Sequence, residues 1–316
     1  VIVVTGGAGF IGSHLVDYFM EEGHDVIVID NLSTGSIENI REWIGDPHFK
    51  FYKLDLVDLE SIMDIFAGVD AVFHYAANSE VRIGSQRPEE IWENNIVATY
   101  NVLEAMRRNN VRLIVFASSS TVYGDQVNIP TPENCKLEPI SIYGASKLAG
   151  EALITGYAHT FKIRALILRY ANIVGSRLTH GVIYDFIAKL RRSPDVLEIL
   201  GDGTQRKSYL HISDAVSATV MAFNAFLNSS NLVEIYNVGN EDWITVKEIA
   251  EIVSDVMGLN PSLHFTGGVG GGIGWIGDVK LMLLDISKLK EIGWKPKLSC
   301  KEVIKKAAIE ILEGFK

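Results

Sequence analysis

A tyrosine and a lysine four residues apart, Tyr143 and Lys147, have the spacing of side chains that share one face of a helix. A lysine ammonium beside a phenol stabilises the phenolate and lowers the phenol pKa from its ordinary value of about 10. Such a tyrosine can act as a general base near neutral pH. By itself this pair occurs often by chance and is more typical of a protein surface, so its interpretation depends on the neighbouring segments.

A cluster of hydroxyl side chains, Ser118 to Thr121, follows directly after the apolar run Arg112 to Ala117. In a doubly wound sheet, ligands collect at the carboxyl ends of the strands. A serine here is therefore placed to hydrogen-bond a hydroxyl group of a substrate. The alternative is a serine-rich turn that satisfies only its own backbone.

The stretch from Val1 to Asp30 has the order of a dinucleotide-binding unit: a β-branched strand, a glycine turn, an amphipathic helix and a second strand. Gly6, Gly9 and Gly12 allow a tight turn, a close approach of the backbone to a pyrophosphate, and close packing of helix on strand. The helix N-terminus offers N–H groups and a positive dipole end to the phosphates. The alternative is a glycine-rich turn that binds no ligand.

Asp30 follows the second strand and can accept hydrogen bonds from both hydroxyls of an adenosine ribose. A carboxylate at this place would repel a 2′-phosphate. The segment therefore favours NAD over NADP as the cofactor.

Apolar runs alternate with helical periodicity through the first half of the chain, which predicts an α/β fold with a Rossmann doubly wound parallel sheet. The further strands are predicted at Phe49 to Leu54, Ala71 to Tyr75, Arg112 to Ala117 and Arg164 to Arg169. The helices are predicted at Leu59 to Phe66, Pro88 to Asn109 and Ser146 to Phe161.

After Asn172 the pattern becomes less regular and predicts a smaller C-terminal α/β substrate domain. Its elements are predicted at Val182 to Arg192, Leu197 to Leu200, Ile212 to Leu227, Glu234 to Val238, Val246 to Met257 and Lys301 to Leu312. We expect residues 1–171 to form the NAD-binding domain, with 212–238 returning to it, and 172–211 and 239–316 to form the substrate domain. The glycine-rich segment Gly267 to Gly277 predicts a mobile loop, since no strand runs into a helix across it.

The overall composition excludes several classes of protein. Of the 316 residues, 47% are apolar and 22% charged, and the net charge of −10 argues against a nucleic-acid partner. Cys135 and Cys300 provide neither a disulfide framework nor metal-ligand spacing, and the lone histidines predict no metal site. No apolar run approaches the roughly 18 residues that span a bilayer, and no stretch resembles a signal peptide. We therefore expect a cytoplasmic protein without a membrane partner.

Three motifs together resemble the extended short-chain dehydrogenase/reductase family, within its NAD-dependent epimerase/dehydratase group. They are the turn from Thr5 to Gly12, the serines before Val122-Tyr123-Gly124, and Tyr143-x-x-x-Lys147. The resemblance covers nearly the whole chain. It implies NAD as a retained cofactor and a nucleotide sugar as substrate. Since the helices matching Pro88 to Asn109 and Ser146 to Phe161 often pair between subunits in this family, it also implies a homodimer.

The resemblance also implies a residue-by-residue assignment of the cofactor site. The adenosine ribose would lie among the residues after the second strand, the adenine after the third, and the nicotinamide ribose against Lys147. The cofactor-binding residues implied are Gly6, Gly9, Phe10, Ile11, Gly12, Asp30, Asn31, Ser33, Thr34, Gly35, Asp55, Leu56, Tyr75, Ala76, Ala77, Asn95, Tyr143, Lys147 and Tyr170.

For the chemistry, the resemblance implies Ser119, Tyr143 and Lys147 as the catalytic residues. Tyr143 would take the proton of the sugar 4-hydroxyl while hydride leaves C4 for NAD, and Ser119 would steady the same oxygen. The 4-keto sugar would then turn over and receive the hydride on its other face. The substrate-binding residues implied are Ser119, Asn172, Val182, Arg206, Lys207, Tyr209 and Met282.

The residues after Ser119 favour epimerisation over related reactions, and the resemblance implies UDP-galactose and UDP-glucose as the substrates. Dehydratases and decarboxylases of the group carry an acid two residues after the catalytic serine or threonine, where this chain has Thr121. The family's diphosphate-binding arginine just before Gly277 is replaced by apolar residues and glycine. Two alternatives stay open: another nucleotide-sugar epimerase or reductase, for example on an N-acetylated UDP-sugar, and a non-catalytic NAD-binding regulator.

Overall fold

A computed structural model describes residues 1–315, and its largest element is a seven-stranded parallel sheet. The strands of the chain are β1 (Ile2–Thr5), β2 (Val26–Ile29), β3 (Phe49–Tyr52), β4 (Ala71–His74), β5 (Leu113–Ser119), β6 (Arg164–Tyr170), β7 (Asn172–Val174), β8 (Val196–Ile199), β9 (Arg206–Lys207), β10 (Tyr209–His211), β11 (Val233–Val238), β12 (Ile244–Thr245), β13 (Ser262–Phe265) and β14 (Leu281–Met282). The main sheet has the order β11-β6-β5-β4-β1-β2-β3. The predicted Rossmann fold is therefore confirmed, and the strand after residue 232 does return to the main sheet.

The helices are α1 (Phe10–Glu21), α2 (Leu59–Ile62), α3 (Pro88–Ile91), α4 (Ala98–Arg108), α5 (Ile142–Phe161), α6 (Val182–Arg192), α7 (Ile212–Leu227), α8 (Val246–Met257), α9 (Ser287–Glu291) and α10 (Cys300–Gly314). Segments of 3₁₀ helix cover Ile37–Trp43, Met63–Phe66, Val81–Ser85, Ser120–Val122 and Gly270–Gly272. No helix within residues 1–315 combines the length and the apolar character needed to cross a bilayer.

The chain is divided into two compact units. The first consists of residues 1–122, 142–169 and 219–236, and the second of 123–141, 170–218 and 237–316. These boundaries differ from the expected ones in one segment, because residues 123–141 belong to the second unit. There the Tyr123 hydroxyl donates to Asn237 at 2.7 Å, and the Thr131 N–H donates to the Leu283 carbonyl at 2.8 Å. These long-range bonds have no signature in local sequence.

The first unit is built on the main sheet, whose strands are buried because helices cover them. β1 pairs in parallel with both β2 and β4, so its residues Val3 and Val4 are completely buried. β-branched residues suit such strands, since their stiff side chains pack well on a pleated surface. This sheet brings the carboxyl ends of β1, β2, β4 and β5 to one edge.

Two helices of the first unit differ from the expected bounds in ways that concern the site. α5 begins at Ile142 rather than Ser146, directly after Ser141, a residue type that favours helix starts. Tyr143 therefore lies inside the helix together with Lys147. The single helix expected from Pro88 to Asn109 is divided, because a π-helical segment, Trp92–Val97, separates α3 from α4.

The second unit contains three small sheets, with strand orders β10-β7, β12-β9-β14 and β13-β8. α8 and α10 each begin with a reciprocal capping box, Thr245 with Glu248 and Ser299 with Glu302. α6, α8 and α10 pack on one another through their apolar faces. The glycine-rich segment is a loop, as predicted, and it hydrogen-bonds the turn at Asp202 through the Gly272 carbonyl.

Candidate active site

The glycine turn between β1 and α1 leaves no room for side chains at two of its positions. Gly6 has φ +68°, and a Cβ there would lie 2.6 Å from the backbone nitrogen of Ala76. A Cβ on Gly12 would lie 2.2 Å from the carbonyl oxygen of Gly6. α1 then starts at Phe10, so the N–H groups of its first turn have no partner within the helix. This is the cradle that a pyrophosphate requires.

Asp30 lies beside this turn and fixes it. Its carboxylate accepts hydrogen bonds from the Ala8 N–H at 3.0 Å and the Leu32 N–H at 2.8 Å. Burial raises the pKa of Asp30, although both of these bonds lower it. Each carboxylate oxygen has a further lone pair for a ribose hydroxyl. Gly35 closes the other side, since a Cβ there would lie 2.9 Å from the Ala8 backbone.

The residues expected around the adenosine lie on neighbouring loops. The Asn31 side-chain amide donates to Asp55 at 3.0 Å, and the Ser33 N–H donates to the Asn31 side-chain oxygen at 2.9 Å. Thr34 is exposed, and Leu56 is buried. The structure therefore brings Asp30, Asn31, Ser33, Thr34, Gly35, Asp55 and Leu56 into the loops that follow β2 and β3.

The segment that follows β4 passes close to the glycine turn and consists of Tyr75, Ala76 and Ala77. The Tyr75 N–H donates to the Thr5 carbonyl at 3.1 Å. Asn95, in the π-helical segment, is 3% exposed, and its amide bonds both the Asn78 backbone and the Ser146 hydroxyl. The expected place of Asn95 along the cofactor stays a prediction.

His74, the last residue of β4, hydrogen-bonds residues of β1 and α4 in the core. The Thr5 hydroxyl lies 2.7 Å from Nδ1 and the Thr99 hydroxyl 2.9 Å from Nε2. Because the Thr99 hydroxyl also donates to the Asn95 carbonyl, it accepts from His74, which assigns the ring proton to Nε2. Burial lowers the pKa of His74 to about 3, so the ring is neutral. His74 is therefore a packed, hydrogen-bonded residue of the core.

The structure brings Ser119, Tyr143 and Lys147 together, as their spacing and motif predicted. Ser119, the last residue of β5, hydrogen-bonds the Tyr143 phenol. The Lys147 ammonium donates to the Ala117 carbonyl at 2.8 Å and lies 5.9 Å from the centre of the Tyr143 ring. Desolvation lowers the pKa of Lys147 to about 8.

The expected lowering of the Tyr143 pKa is wrong for this arrangement. Desolvation raises the pKa of Tyr143 to about 12, and the hydrogen bond with Ser119 opposes this only in part. The physical reason is that the Lys147 ammonium bonds the Ala117 carbonyl rather than the phenol oxygen.

Sequence reasoning missed a buried charged pair next to the site. The Arg169 guanidinium binds both carboxylate oxygens of Glu151, at 2.9 and 2.7 Å, and the Ser118 hydroxyl donates to the same carboxylate at 2.5 Å. Glu151 follows Lys147 by four residues, so helical periodicity could have placed it on the same face. Its charge raises the pKa of Lys147 and partly offsets the desolvation.

Six expected substrate-binding residues and Tyr170 lie in the second unit. β9 pairs with β14, which sets Lys207 beside Met282 and Arg206 beside Leu281. The Lys207 ammonium contacts the Asp278 carboxylate at 2.5 Å, and the exposed Arg206 guanidinium lies 5.2 Å from the Trp243 ring centre. Each residue is placed as follows: Asn172 in β7, Val182 first in α6, Arg206 and Lys207 in β9, Tyr209 in β10 and Met282 in β14.

Among residues 1–315, no three histidine, cysteine, aspartate or glutamate side chains cluster as metal ligands. The site is thus one of hydroxyl, phenol and ammonium groups beside a phosphate cradle. Such groups can exchange a proton with an alcohol next to a nucleotide cofactor.

Comparison with known proteins identifies the family that the chain resembles. Residues 2–239 match the NAD dependent epimerase/dehydratase family. The chain is 38% identical over 311 residues to a putative UDP-glucose 4-epimerase of Methanocaldococcus jannaschii, covering 96% of each. A crystal structure of a UDP-galactose 4-epimerase is 48% identical, with a TM-score of 0.90, and the match covers 100% of this chain and 99% of that one.

Similar proteins do not all act on the same sugar. A UDP-N-acetylglucosamine 4-epimerase from Methanobrevibacter ruminantium, solved with UDP-N-acetylmuramic acid, is 31% identical with a TM-score of 0.85. That match covers 99% of this chain and 98% of the other.

The chain belongs to the NAD dependent epimerase/dehydratase family, as an extended short-chain dehydrogenase/reductase. It is an NAD-dependent isomerase of the UDP-glucose 4-epimerase type, and its cofactor is NAD. The glycine cradle fits that cofactor, since both positions admit only a backbone.

Proposed function

We propose that this protein interconverts UDP-galactose and UDP-glucose by inverting C4 of the sugar, with NAD retained throughout the reaction. The observation that carries the proposal is the convergence of Ser119, Tyr143 and Lys147 within one unit. Thr121 supports epimerisation over elimination or decarboxylation, because those reactions need an acid at that position in this family.

In the proposed reaction, Tyr143 takes the proton from the sugar 4-hydroxyl and later returns it to the same oxygen. Ser119 donates a hydrogen bond to that oxygen, which stabilises the negative charge that develops there. The Lys147 ammonium lies near the Tyr143 ring and would hold the nicotinamide ribose, as the resemblance implies. Bound NAD supplies the acceptor and the donor of a hydride at C4.

The cofactor residues are proposed on the resemblance and on the geometry of the turn. Gly6, Gly9 and Gly12 would admit the pyrophosphate, and Asp30 would accept the ribose hydroxyls. The sugar nucleotide would be held by Asn172, Val182, Arg206, Lys207, Tyr209 and Met282.

The test is to incubate purified protein with UDP-galactose, without added NAD, and to measure UDP-glucose. We expect conversion by the unmodified protein and by Tyr18→Phe, which removes a hydroxyl from α1. Tyr143→Phe is expected to lose at least about 100-fold in rate, since a general base contributes on the order of 10²–10⁴. Conversion by Tyr143→Phe at the unmodified rate contradicts the proposal.

A second candidate substrate is an N-acetylated UDP-sugar. Met282 supports it, because a methionine side chain is flexible and adapts to groups of different size. The same assay with UDP-N-acetylgalactosamine decides between them. Conversion of that sugar alone would replace the galactose proposal.

We also propose that two copies of the chain form a homodimer. An apolar groove on the first unit runs between α3, the π-helical segment and α5, and Trp92 and Ile142 on it are 58% and 47% exposed. A second copy could cover these groups with its own groove. Sedimentation at low protein concentration should give a dimer for Ile44→Glu, a charge placed elsewhere on this unit, and a monomer for Trp92→Glu. A monomeric unmodified chain would refute the dimer.

A further inference from the structure

Two buried hydrogen bonds, one helical turn apart, hold α5 against the end of β5. The Lys147 ammonium donates to the Ala117 carbonyl at 2.8 Å, and the Ser118 hydroxyl donates to the Glu151 carboxylate at 2.5 Å. Their partners in β5 are successive residues and directly precede Ser119. The two bonds therefore fix the strand end that carries a proposed catalytic residue.

The Glu151 carboxylate extends this contact to β6, the next strand of the sheet. Arg169 of β6 binds it through Nε at 2.9 Å and Nη2 at 2.7 Å. Glu151 and Arg169 are 4% and 2% exposed. A guanidinium that binds both carboxylate oxygens compensates the cost of burying the negative charge. The pair thus keeps an anion inside the first unit, one helical turn after Lys147.

We propose that Glu151 is a positioning residue, which holds α5 against β5 so that Lys147 stays a charged donor at the Ala117 carbonyl. Glu151 acts through Lys147 and touches no reacting atom of the proposed reaction. The role rests on the proposed epimerase function, since that function makes Lys147 a catalytic residue.

The charge of Glu151 supports the same role. Desolvation lowers the pKa of Lys147 to about 8, and Glu151 opposes this change. Three other titratable groups lie around these two residues, and none of the three is an anion near neutral pH. His74 in β4 is uncharged, because burial lowers its pKa to about 3. Tyr143 on α5 stays a phenol, because desolvation raises its pKa to about 12, and Arg169 in β6 is a cation.

The first test removes one hydrogen bond and leaves the charges in place. Ser118→Ala deletes the hydroxyl that binds Glu151. Tyr157→Phe is the matched control, because the Tyr157 hydroxyl also connects α5 to a carboxylate with an arginine partner, that of Glu104, at 2.7 Å. For UDP-galactose we expect kcat to fall about fivefold to tenfold in Ser118→Ala, as for the loss of one hydrogen bond, with KM within about twofold. Tyr157→Phe should change kcat by less than about twofold. Equal losses of kcat in the two variants would contradict the proposal.

A double substitution tests whether the contact acts through Lys147. In a Lys147→Met background, Ser118→Ala should cause no further loss of kcat, because the ammonium that it positions is gone. Losses that multiply would show that Ser118 and Glu151 act independently of Lys147.

The second test removes the charge and follows the pH profile of kcat from about pH 6 to about pH 10. Glu151→Gln keeps the size of the side chain and an acceptor for Ser118. Without the anion the Lys147 ammonium loses its proton at lower pH, so the alkaline limb of the profile should move to lower pH, by up to about one unit. Because Arg169 loses its partner in this variant, Glu151→Gln/Arg169→Met, which removes both charges, is measured as well. An alkaline limb at its original pH, with an equal loss of kcat at every pH, overturns the proposal.

A readout without turnover separates this proposal from the function on which it rests. The NMR resonance of the Lys147 Cε, assigned by its absence from the Lys147→Met spectrum, follows the titration of the ammonium. Its midpoint should lie near pH 8 in the unmodified protein and lower in the two Glu151 variants. If the protein epimerises no UDP-sugar and the midpoint falls, the proposed function fails and the role of Glu151 stands. If the midpoints are equal, the role of Glu151 fails.

Discussion

Two lysines with little exposed side chain, one in each unit, are held in opposite ways. Lys147 donates to a backbone carbonyl, that of Ala117, and desolvation lowers its pKa to about 8. Lys207 contacts a buried carboxylate, that of Asp278, which is 4% exposed. A carbonyl satisfies an ammonium without cancelling its charge, whereas a carboxylate cancels it. The charge of Lys147 is therefore available to a ligand. The charge of Lys207 stabilises the fold through Asp278, and Lys207 is also a proposed substrate contact.

The glycine-rich segment, which lacks the arginine that the family carries before Gly277, is held in place through Asp278. Asp278 bonds Lys207 and also accepts from the Gly274 N–H at 3.2 Å, so it ties β9 to the glycine-rich segment. Ile276 in that segment is 81% exposed. Lys207 and Asp278 thus form an ion pair that stabilises the backbone of this region.

The largest expected difference between the two lysines is in their effect on catalysis. Lys147→Met should lower kcat on the order of 10³-fold with little change in KM, because Lys147 is one of the three proposed catalytic residues. Lys207→Met should instead raise KM, by about tenfold, with a smaller change in kcat. Steady-state kinetics on UDP-galactose measures both, and Lys207→Arg, which keeps the charge, is the matched control. A larger kcat loss in Lys207→Met than in Lys147→Met would reverse the assignment.

The next effect concerns stability in the second unit. Asp278→Asn leaves the Lys207 charge without its partner, which should lower the free energy of unfolding by about 3 kcal/mol. Glu241→Gln removes an ion pair with Lys290 that is half-exposed on both sides, and should change it by less than about 1 kcal/mol. Urea denaturation compares the two variants. Equal losses would show that Asp278 contributes no more than a surface charge.

The smallest effect, per pH unit, concerns His74, a buried group of the first unit that stays uncharged. The pKa of His74 is about 3 in the folded chain, below the ordinary value of about 6.5 in an unfolded one. Between these values the unfolded chain binds a proton that the folded chain does not. The free energy of unfolding should therefore fall as the pH falls from about 6.5, by up to about 1.4 kcal/mol per pH unit.

His74→Asn should weaken this acid dependence, while His264→Gln, on an exposed residue, should leave it unchanged. Denaturation at several pH values between about 4 and 7 measures the slope. A slope in His74→Asn as steep as in the unmodified chain would contradict the neutral buried histidine.

Local sequence determined the elements and the phosphate cradle of this protein. α6, α7 and α8 have the predicted bounds, because their apolar periodicity is strong and, in α8, a capping box at Thr245 marks the start. The glycine turn followed from Gly6 and Gly12, whose conformation and contacts no other residue type permits. These features depend on residues close together in the chain.

Tertiary structure alone decided how the predicted site residues are used. The partner of Lys147, the pKa of Tyr143, the protein-directed amide of Asn95 and the bidentate pair of Glu151 with Arg169 all depend on atoms from separate segments. The same holds for residues 123–141, whose bonds to Asn237 and Leu283 place them with the second unit. Hydrogen-bond direction and desolvation are set by three-dimensional neighbours, so residue types and their spacing identified the groups but not their state.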